Sequence, residues 1–150
     1  MDKFDKKILS MLVDDATSSL ASIGKEVGLS APAVHERIKK LRKHGVIRST
    51  NVMLDGNAVD KPLLAFIHLK TMGWGYTTEL EELANHPEFE EVHSVTGSDS
   101  MILKVRVKDS TSLERVLKRL HDMESVVSTS TFVTLSTYLE RPVQVEVSEL

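Results

Sequence analysis

The chain has 150 residues, of which 41% are hydrophobic and 27% charged, and its formal net charge is −3. This length suits one compact domain or two small ones with a buried core. No apolar run approaches the roughly 18 residues of a membrane-spanning helix, and the polar N-terminus lacks the apolar stretch of a signal peptide. The absence of cysteine excludes disulfides, thiolate metal sites and cysteine nucleophiles. We therefore expect a cytoplasmic protein with no membrane contact.

The charge is distributed unevenly along the chain. Residues 1–55 contain ten Lys or Arg and seven Asp or Glu, a net charge of +3, whereas residues 56–150 have a net charge of −6. Between residues 36 and 48 there are six basic residues and one acid. This asymmetry predicts a segment that binds a polyanion, joined to a domain with another task. A solvated helix face is the alternative explanation of the basic run.

Three short helices are predicted before residue 46. Apolar residues recur at helical spacing over residues 4–14 and 20–27, and the third helix has its buried stripe at Val34, Ile38 and Leu41. Gly28 can supply the left-handed end of the second helix, and Ser30 is placed to cap the third. A short helix, a turn with glycine and a longer helix are typical of a helix-turn-helix.

The outer face of the third helix is the predicted DNA-binding surface, in a domain spanning residues 1–54. Small residues at its beginning would allow close approach to base edges, and the cations further on would meet phosphates. Residues 47–53 alternate loosely and predict a short wing strand. A three-helix cluster without a ligand is the alternative. The residues that helical spacing places on this outer face are Ala31, Pro32, His35, Glu36, Lys39, Lys40 and Lys43.

After a predicted linker at residues 55–62, the pattern is β-α-β-β-α-β. This order is typical of the ferredoxin-like fold, here expected over residues 63–140 with a tail at 141–150. Two helices on one sheet face leave the other face uncovered, which predicts packing against a second copy of the chain. The strands are predicted at residues 63–72, 91–96, 101–107 and 126–139, and the helices at 76–86 and 113–120.

The chain resembles the Lrp/AsnC family of transcriptional regulators over roughly residues 2–140. The resemblance implies an α+β protein with a winged helix-turn-helix and a ferredoxin-like effector domain. It also implies a homodimer that assembles into tetramers, octamers or larger rings, and an amino acid bound between effector domains. The segments that carry the resemblance are Phe4–Leu9, Ile23–Ser30, Val34–Leu41, Gly45–Ile47, Val95–Gly97 and Thr129–Val133. Carried over by position, the resemblance implies that the DNA-binding residues are Ser30, Ala31, Pro32, Ala33, His35, Glu36, Arg37, Lys39, Lys40 and Arg42.

The resemblance also implies an effector site in the second domain. The family's effector turn commonly runs Gly-x-x-Asp, but here Ser100 holds the last position and the acid is Asp99. Backbone N–H groups of such a turn can hold a carboxylate, and Asp99 could pair with an ammonium group. An ordinary β-hairpin turn is the alternative. The implied effector residues are Gly97, Ser98, Asp99, Ser100, Met101, Thr129, Thr131, Val133 and Thr134.

Nothing in the sequence predicts catalysis, a metal or a cofactor. The six histidines form no compact metal-binding pattern, and phosphate loops and nucleophile elbows are absent. Two alternatives remain beside the amino-acid-modulated regulator. One is an architectural protein that wraps DNA without an effector. The other is an enzyme similar to sirohaem decarboxylases, which would need basic residues and a histidine around a cavity in the acidic second domain.

Overall fold

The computed structural model describes residues 1–73 and 78–146. These residues form two compact units. One unit contains residues 1–52 together with the described part of 139–150, and the other contains residues 53–138. No described helix is long and apolar enough to cross a membrane.

The first unit is built from α1 (Lys3–Asp14), α2 (Leu20–Val27) and α3 (Ala31–Lys43). The three predicted helices are therefore confirmed. The apolar stripes of all three helices meet in one small core. Its buried side chains are Ile8, Ile23, Val27, Val34 and Ile38.

Local signals fix the ends of these helices. The side chain of Asp2 accepts from the N–H of Asp5, and Asp5 accepts in return from Asp2, both at 2.9 Å, which forms a capping box. Gly28 ends α2 at a φ of 74°, a conformation that favours glycine. Ser30 Oγ then accepts from the N–H of Ala33 at 3.3 Å and caps α3. The turn between α2 and α3 is thus defined by two adjacent caps.

The predicted wing strand at residues 47–53 is wrong, because no strand is found between residues 44 and 62. After α3, the N–H groups of Val46 and Ile47 donate to the Leu41 carbonyl at 2.9 and 3.3 Å. This turn places Ile47 against the core of the unit. A strand also needs a neighbour to satisfy its backbone groups, and the described part of this unit contains no other strand.

The second unit is a four-stranded antiparallel sheet with helices on one face. The strand order is β2-β3-β1-β4, which confirms the ferredoxin-like prediction. A 3₁₀ turn at Glu82–Asn85 follows α4. In chain order the elements are β1 (Leu63–Thr71), α4 (Thr78–Glu81), β2 (Phe89–Ser94), β3 (Met101–Val107), α5 (Ser110–His121) and β4 (Val126–Val133).

Alternation along the strands separates the two faces of the sheet. On β1, Ile67 and Leu69 are fully buried in the core beneath the helices. Phe66 and His68 point to the opposite, open face. Phe66 is paired in register with Phe132 of β4, and these two rings are 37% and 57% exposed.

Several predicted bounds differ from the structure. The last strand was expected to reach residue 139 but ends at Val133, because its partner β1 begins at Leu63 and Pro62 before it has no N–H to donate. The strand expected at 91–96 lies at Phe89–Ser94. The helix expected at 76–86 is an α-helical turn from Thr78 followed by the 3₁₀ turn, and its first two residues lie outside the described residues.

Candidate DNA-binding and effector sites

The outer face of α3 is a basic surface without internal partners. Five of its side chains are predicted to bind DNA and form no hydrogen bond or ion pair within residues 1–73 and 78–146, namely those of His35, Glu36, Lys39, Lys40 and Arg42. This leaves them available to an external polyanion, and the cations lie at the end of the helix that its dipole makes negative. The exposed residues are His35, Glu36, Lys39, Lys40, Arg42 and Lys43.

The beginning of α3 offers a small, tightly capped end. The Ser30 hydroxyl is occupied by the cap to Ala33, and Pro32 is exposed beside the half-buried Ala31. Little side-chain bulk surrounds this end, so the helix can approach a groove closely. The first turn therefore suits contact with DNA through its backbone and Pro32.

Arg37 was predicted to bind DNA, but it is turned towards α1. Its Nη1 lies 2.8 Å from Oδ2 of Asp2 and 2.7 Å from Oδ1 of Asp5, and its guanidinium lies 5.4 Å from the ring centre of Phe4. These two carboxylates raise the pKa of Arg37. The backbone N–H of Asp5, followed by Arg37, lowers the pKa of Asp2. Arg37 therefore stabilises the packing of α3 against α1.

A second cation of this unit also has an internal partner. Lys7 Nζ donates to the backbone carbonyl of Glu26 at 2.7 Å, near the end of α2. It therefore stabilises the carbonyl end of that helix. The cations left facing outward on α3 are Lys39, Lys40, Arg42 and Lys43.

The implied effector turn joins β2 to β3. Asp99 Oδ2 lies 3.0 Å from Nδ1 of His68, so its carboxylate is engaged on the open face of the sheet. Ser100 donates its N–H to the Leu69 carbonyl at 2.8 Å, and its Oγ accepts from the N–H of Thr71 at 3.2 Å. Gly97 has a φ of 130°, while Met101 is buried in the core. Ser98 is exposed at the tip.

The implied residues of β4 lie on the other face. Thr129 is in register with Leu69 and faces the helices, and its Oγ1 is 3.2 Å from Nε2 of His121 on α5. Thr131 and Val133 follow on the same face. Val133 is opposite Ala65, which is about 14 Å along β1 from Leu69 at roughly 3.4 Å per residue. A single chain thus places the turn near Thr129 but not near Val133 or Thr134.

The sequence patterns do not predict the His68–Asp99 pair or its contact with Phe132. The rings of His68 and Phe132 lie 5.0 Å apart on the open face. Alternation along β1 would have put His68 on that face, but only the register shows that the turn reaches it. His93 is separated from His68 by Ile102 and instead bonds to Glu91 at 2.8 Å, which lowers the pKa of Glu91. No group of three possible metal ligands occurs in residues 1–73 and 78–146.

Family models match both units. The model of the AsnC-type helix-turn-helix domain matches residues 1–42, and that of the Lrp/AsnC ligand binding domain matches residues 64–144. The HTH-type transcriptional regulator FL11 of Pyrococcus horikoshii is 36% identical over 140 residues, which are 93% of both chains. The second family model spans more than half of this chain.

Solved structures show the same fold. An AsnC family transcriptional regulator from Agrobacterium tumefaciens is 26% identical, with a TM-score of 0.84 and 94% of both chains covered. The transcriptional regulator NMB0573 from Neisseria meningitidis, solved as a complex with L-Met, has a TM-score of 0.83 at 23% identity and 94% coverage of both chains. On these matches, this chain belongs to the Lrp/AsnC family of DNA-binding transcriptional regulators, whose members are not enzymes.

Proposed function

We propose that the protein acts in the cytoplasm as a homodimer that places the α3 helices of its two subunits in successive major grooves of double-stranded DNA. Two such helices would lie about one helical turn apart, roughly 34–36 Å. The observation that carries this proposal is the outward basic face of α3, whose cations have no partner among the described residues.

Roles within the DNA interface follow from position on the helix. Lys39, Lys40 and Arg42 neutralise phosphates, which fixes register and affinity without reading sequence. His35 and Glu36, with the turn from Ser30 to Ala33, meet bases or sugars. Arg37 acts only through its contacts with α1.

The open face of the effector sheet supports the homodimer. Phe66 and Phe132 are exposed side by side on the sheet face opposite to α4 and α5. Apolar surface of this kind is stabilised by burial against a second copy. Further association of dimers, into an octamer for example, would use surfaces other than this face.

We also propose that an amino acid bound between effector domains changes the affinity for DNA. Within the turn Gly97–Met101, the backbone N–H groups of Gly97 to Asp99 and Oδ1 of Asp99 would face the ligand. Thr129, Thr131 and Val133 lie on β4, and Thr134 follows it. Because a single chain brings the turn near Thr129 but not near Val133 or Thr134, the two sets would have to come from different subunits. The complex of the Neisseria meningitidis regulator with L-Met supports an amino acid as the ligand class.

Quantitative DNA binding tests the proposal. The fragment is the DNA upstream of the protein's own gene, with and without each of the standard amino acids. Affinity that shifts with one amino acid supports the regulator and identifies its effector. Salt-sensitive binding that no amino acid changes would instead identify an architectural DNA-wrapping protein, and no binding at low salt would contradict the role of α3.

The salt dependence tests the interface itself. Lys39→Ala should weaken binding to all sequences and reduce the slope of log K against log salt by about 0.9. Lys118→Ala removes an exposed cation of α5 as the matched control and should leave the slope unchanged. His35→Ala should change relative affinity among sites, and equal weakening at every site would exclude it as a base reader.

A further inference from the structure

A pocket of about 210 Å³ lies on the helix side of the effector domain, away from the turn and from the open sheet face. One wall is α5, and the other is the segment that leads from the 3₁₀ turn into β2. On α5 the lining residues are Ser112, Arg115, Val116 and Arg119. These positions are three or four residues apart and therefore share one face of the helix.

The pocket carries charges of both signs. Arg115 and Arg119 contribute two guanidinium groups from α5, and the opposite wall contributes Glu88 together with His86. The guanidinium of Arg115 reaches only its own helix, with Nη2 3.2 Å from Ser112 Oγ. The side chains of Arg119 and Glu88 form no hydrogen bond or ion pair with any described residue. Opposite charges thus line one cavity without neutralising each other.

An apolar patch lies beside these charges. Val116 is 8% exposed within the core cluster, and Phe89 packs against the same cluster from the start of β2. Glu88 is anchored by its backbone, because its carbonyl accepts from the N–H of Arg106 at 2.9 Å. The wall that carries the carboxylate is therefore fixed relative to the sheet.

We propose that this pocket binds one free α-amino acid as its zwitterion. The arginines of α5 hold the ligand carboxylate, Glu88 holds its ammonium group, and Phe89 with Val116 contact its side chain. A simple anion would leave Glu88 facing like charge, and a simple cation would face two guanidinium groups. The pocket volume of about 210 Å³ lies below the roughly 300–1,000 Å³ of sites for drug-sized ligands. It therefore suits a ligand as small as a single amino acid.

The proposed pocket shares no residue with the effector site proposed at Gly97–Met101. It therefore adds a second amino-acid site to each subunit and does not require the first. Because ligand binding is measured directly, without DNA, failure of this proposal is distinguishable from failure of the proposed regulatory function.

Calorimetric titration of the full-length protein with each of the twenty standard amino acids tests the pocket. Arg119→Gln and Glu88→Gln should each weaken binding of the best ligand by about tenfold or more, since each removes a hydrogen bond to a charged group. Lys118→Gln and Glu114→Gln are the matched controls, because both lie on α5 outside the pocket and should bind as the wild type does.

Ligand analogues separate the two charges. The N-acetyl derivative of the best ligand lacks the ammonium group, so the wild type should bind it at least about tenfold more weakly, and Glu88→Gln should discriminate less. The amide derivative of the best ligand lacks the carboxylate, so the wild type should bind it more weakly than the free amino acid. Arg119→Gln should discriminate less between these two ligands. Asp99→Asn should leave this site occupied.

Three results with the variants and the ligand analogues would overturn the proposal. They are wild-type affinity in both pocket variants, equal affinity for the free and N-acetylated ligand, and loss of all amino-acid binding in Asp99→Asn alone. Absence of binding for all twenty amino acids would overturn it as well, and α3 would still be tested by its affinity for DNA.

Discussion

Arg37 Nη1 lies 2.7 Å from Oδ1 of Asp5, and the same nitrogen lies 2.8 Å from Asp2, so a cation of α3 is held by the first turn of α1. In the sequence, Arg37 is separated from Asp5 by 32 positions and from Asp2 by 35 positions. It fixes α3 against α1 from the side opposite to the proposed DNA-binding face.

Replacing Arg37 should therefore affect stability before DNA contact. We expect Arg37→Gln to lower the midpoint of thermal unfolding, followed by circular dichroism, while the salt slope of DNA binding stays at the wild-type value. Lys39→Ala should behave in the opposite way. A decrease of about 0.9 in the slope for Arg37→Gln would show that Arg37 contacts phosphate after all.

The charge of Asp2 should make its contribution dependent on pH. Asn caps a helix about as well as Asp but cannot form the ion pair, so Asp2→Asn should lower the thermal midpoint at pH 7. Since the pKa of Asp2 is lowered below its ordinary value of 3.8, its charge stabilises the fold fully above that pH. The contribution is lost as the pH falls through the lowered pKa.

Thermal midpoints of the wild type and Asp2→Asn at pH 7, 5 and 3 check this expectation. The difference between the two proteins should be the same at pH 7 and 5 and smaller at pH 3. A difference as large at pH 3 as at pH 7 would contradict a role for the charge.

Gly24 should not tolerate a methyl group, although it lies within α2. A Cβ there would sit 2.5 Å from the carbonyl oxygen of Leu29, which belongs to the turn before α3. Gly24→Ala should therefore destabilise the protein by about 1–3 kcal/mol, despite the roughly 1 kcal/mol that alanine usually gains over glycine in a helix. Urea unfolding measures the change. Ser22→Ala, at an exposed position of the same helix, should have little effect, and a more stable Gly24→Ala would disprove the close approach.

Phe132 should hold the proposed dimer together. Phe132→Glu places a charge on the open face of the sheet, and light scattering at micromolar concentration should then give the mass of a monomer. Thr111→Glu, at an exposed position of α5 on the helix side of the sheet, is the control and should remain dimeric. Dissociation by Thr111→Glu alone would assign the interface to the helix side.

Sequence patterns predict most of this fold because they report local physics. The stripe of Val34, Ile38 and Leu41, the cap at Ser30 and the left-handed Gly28 depend on neighbours within a few residues, and all three are present. The ends of strands depend instead on partners far along the chain. The prediction that the last strand extends beyond Val133 is wrong, because its partner β1 begins at Leu63.

The sites show the same division between local and distant causes. Helical periodicity places Lys39 and Lys40 outward, but it also places Arg37 three residues after Val34, on the inner side of α3. Its partners in α1 are invisible to a helical pattern. The pocket of Arg119 and Glu88 likewise joins segments about thirty residues apart, so only the folded chain reveals it.

The order β2-β3-β1-β4 leaves two unlike edges on the sheet. The edge strand β2 carries Glu90, Glu91 and His93, and charges of this kind discourage pairing with a foreign strand. The edge strand β4, Val126–Val133, has no charged residue and no proline. In the effector unit by itself, β4 is therefore an edge at which a foreign strand can pair. Assembly that covers β4 would thus protect against aggregation. When dilution dissociates the oligomer, we expect the separated chains to precipitate.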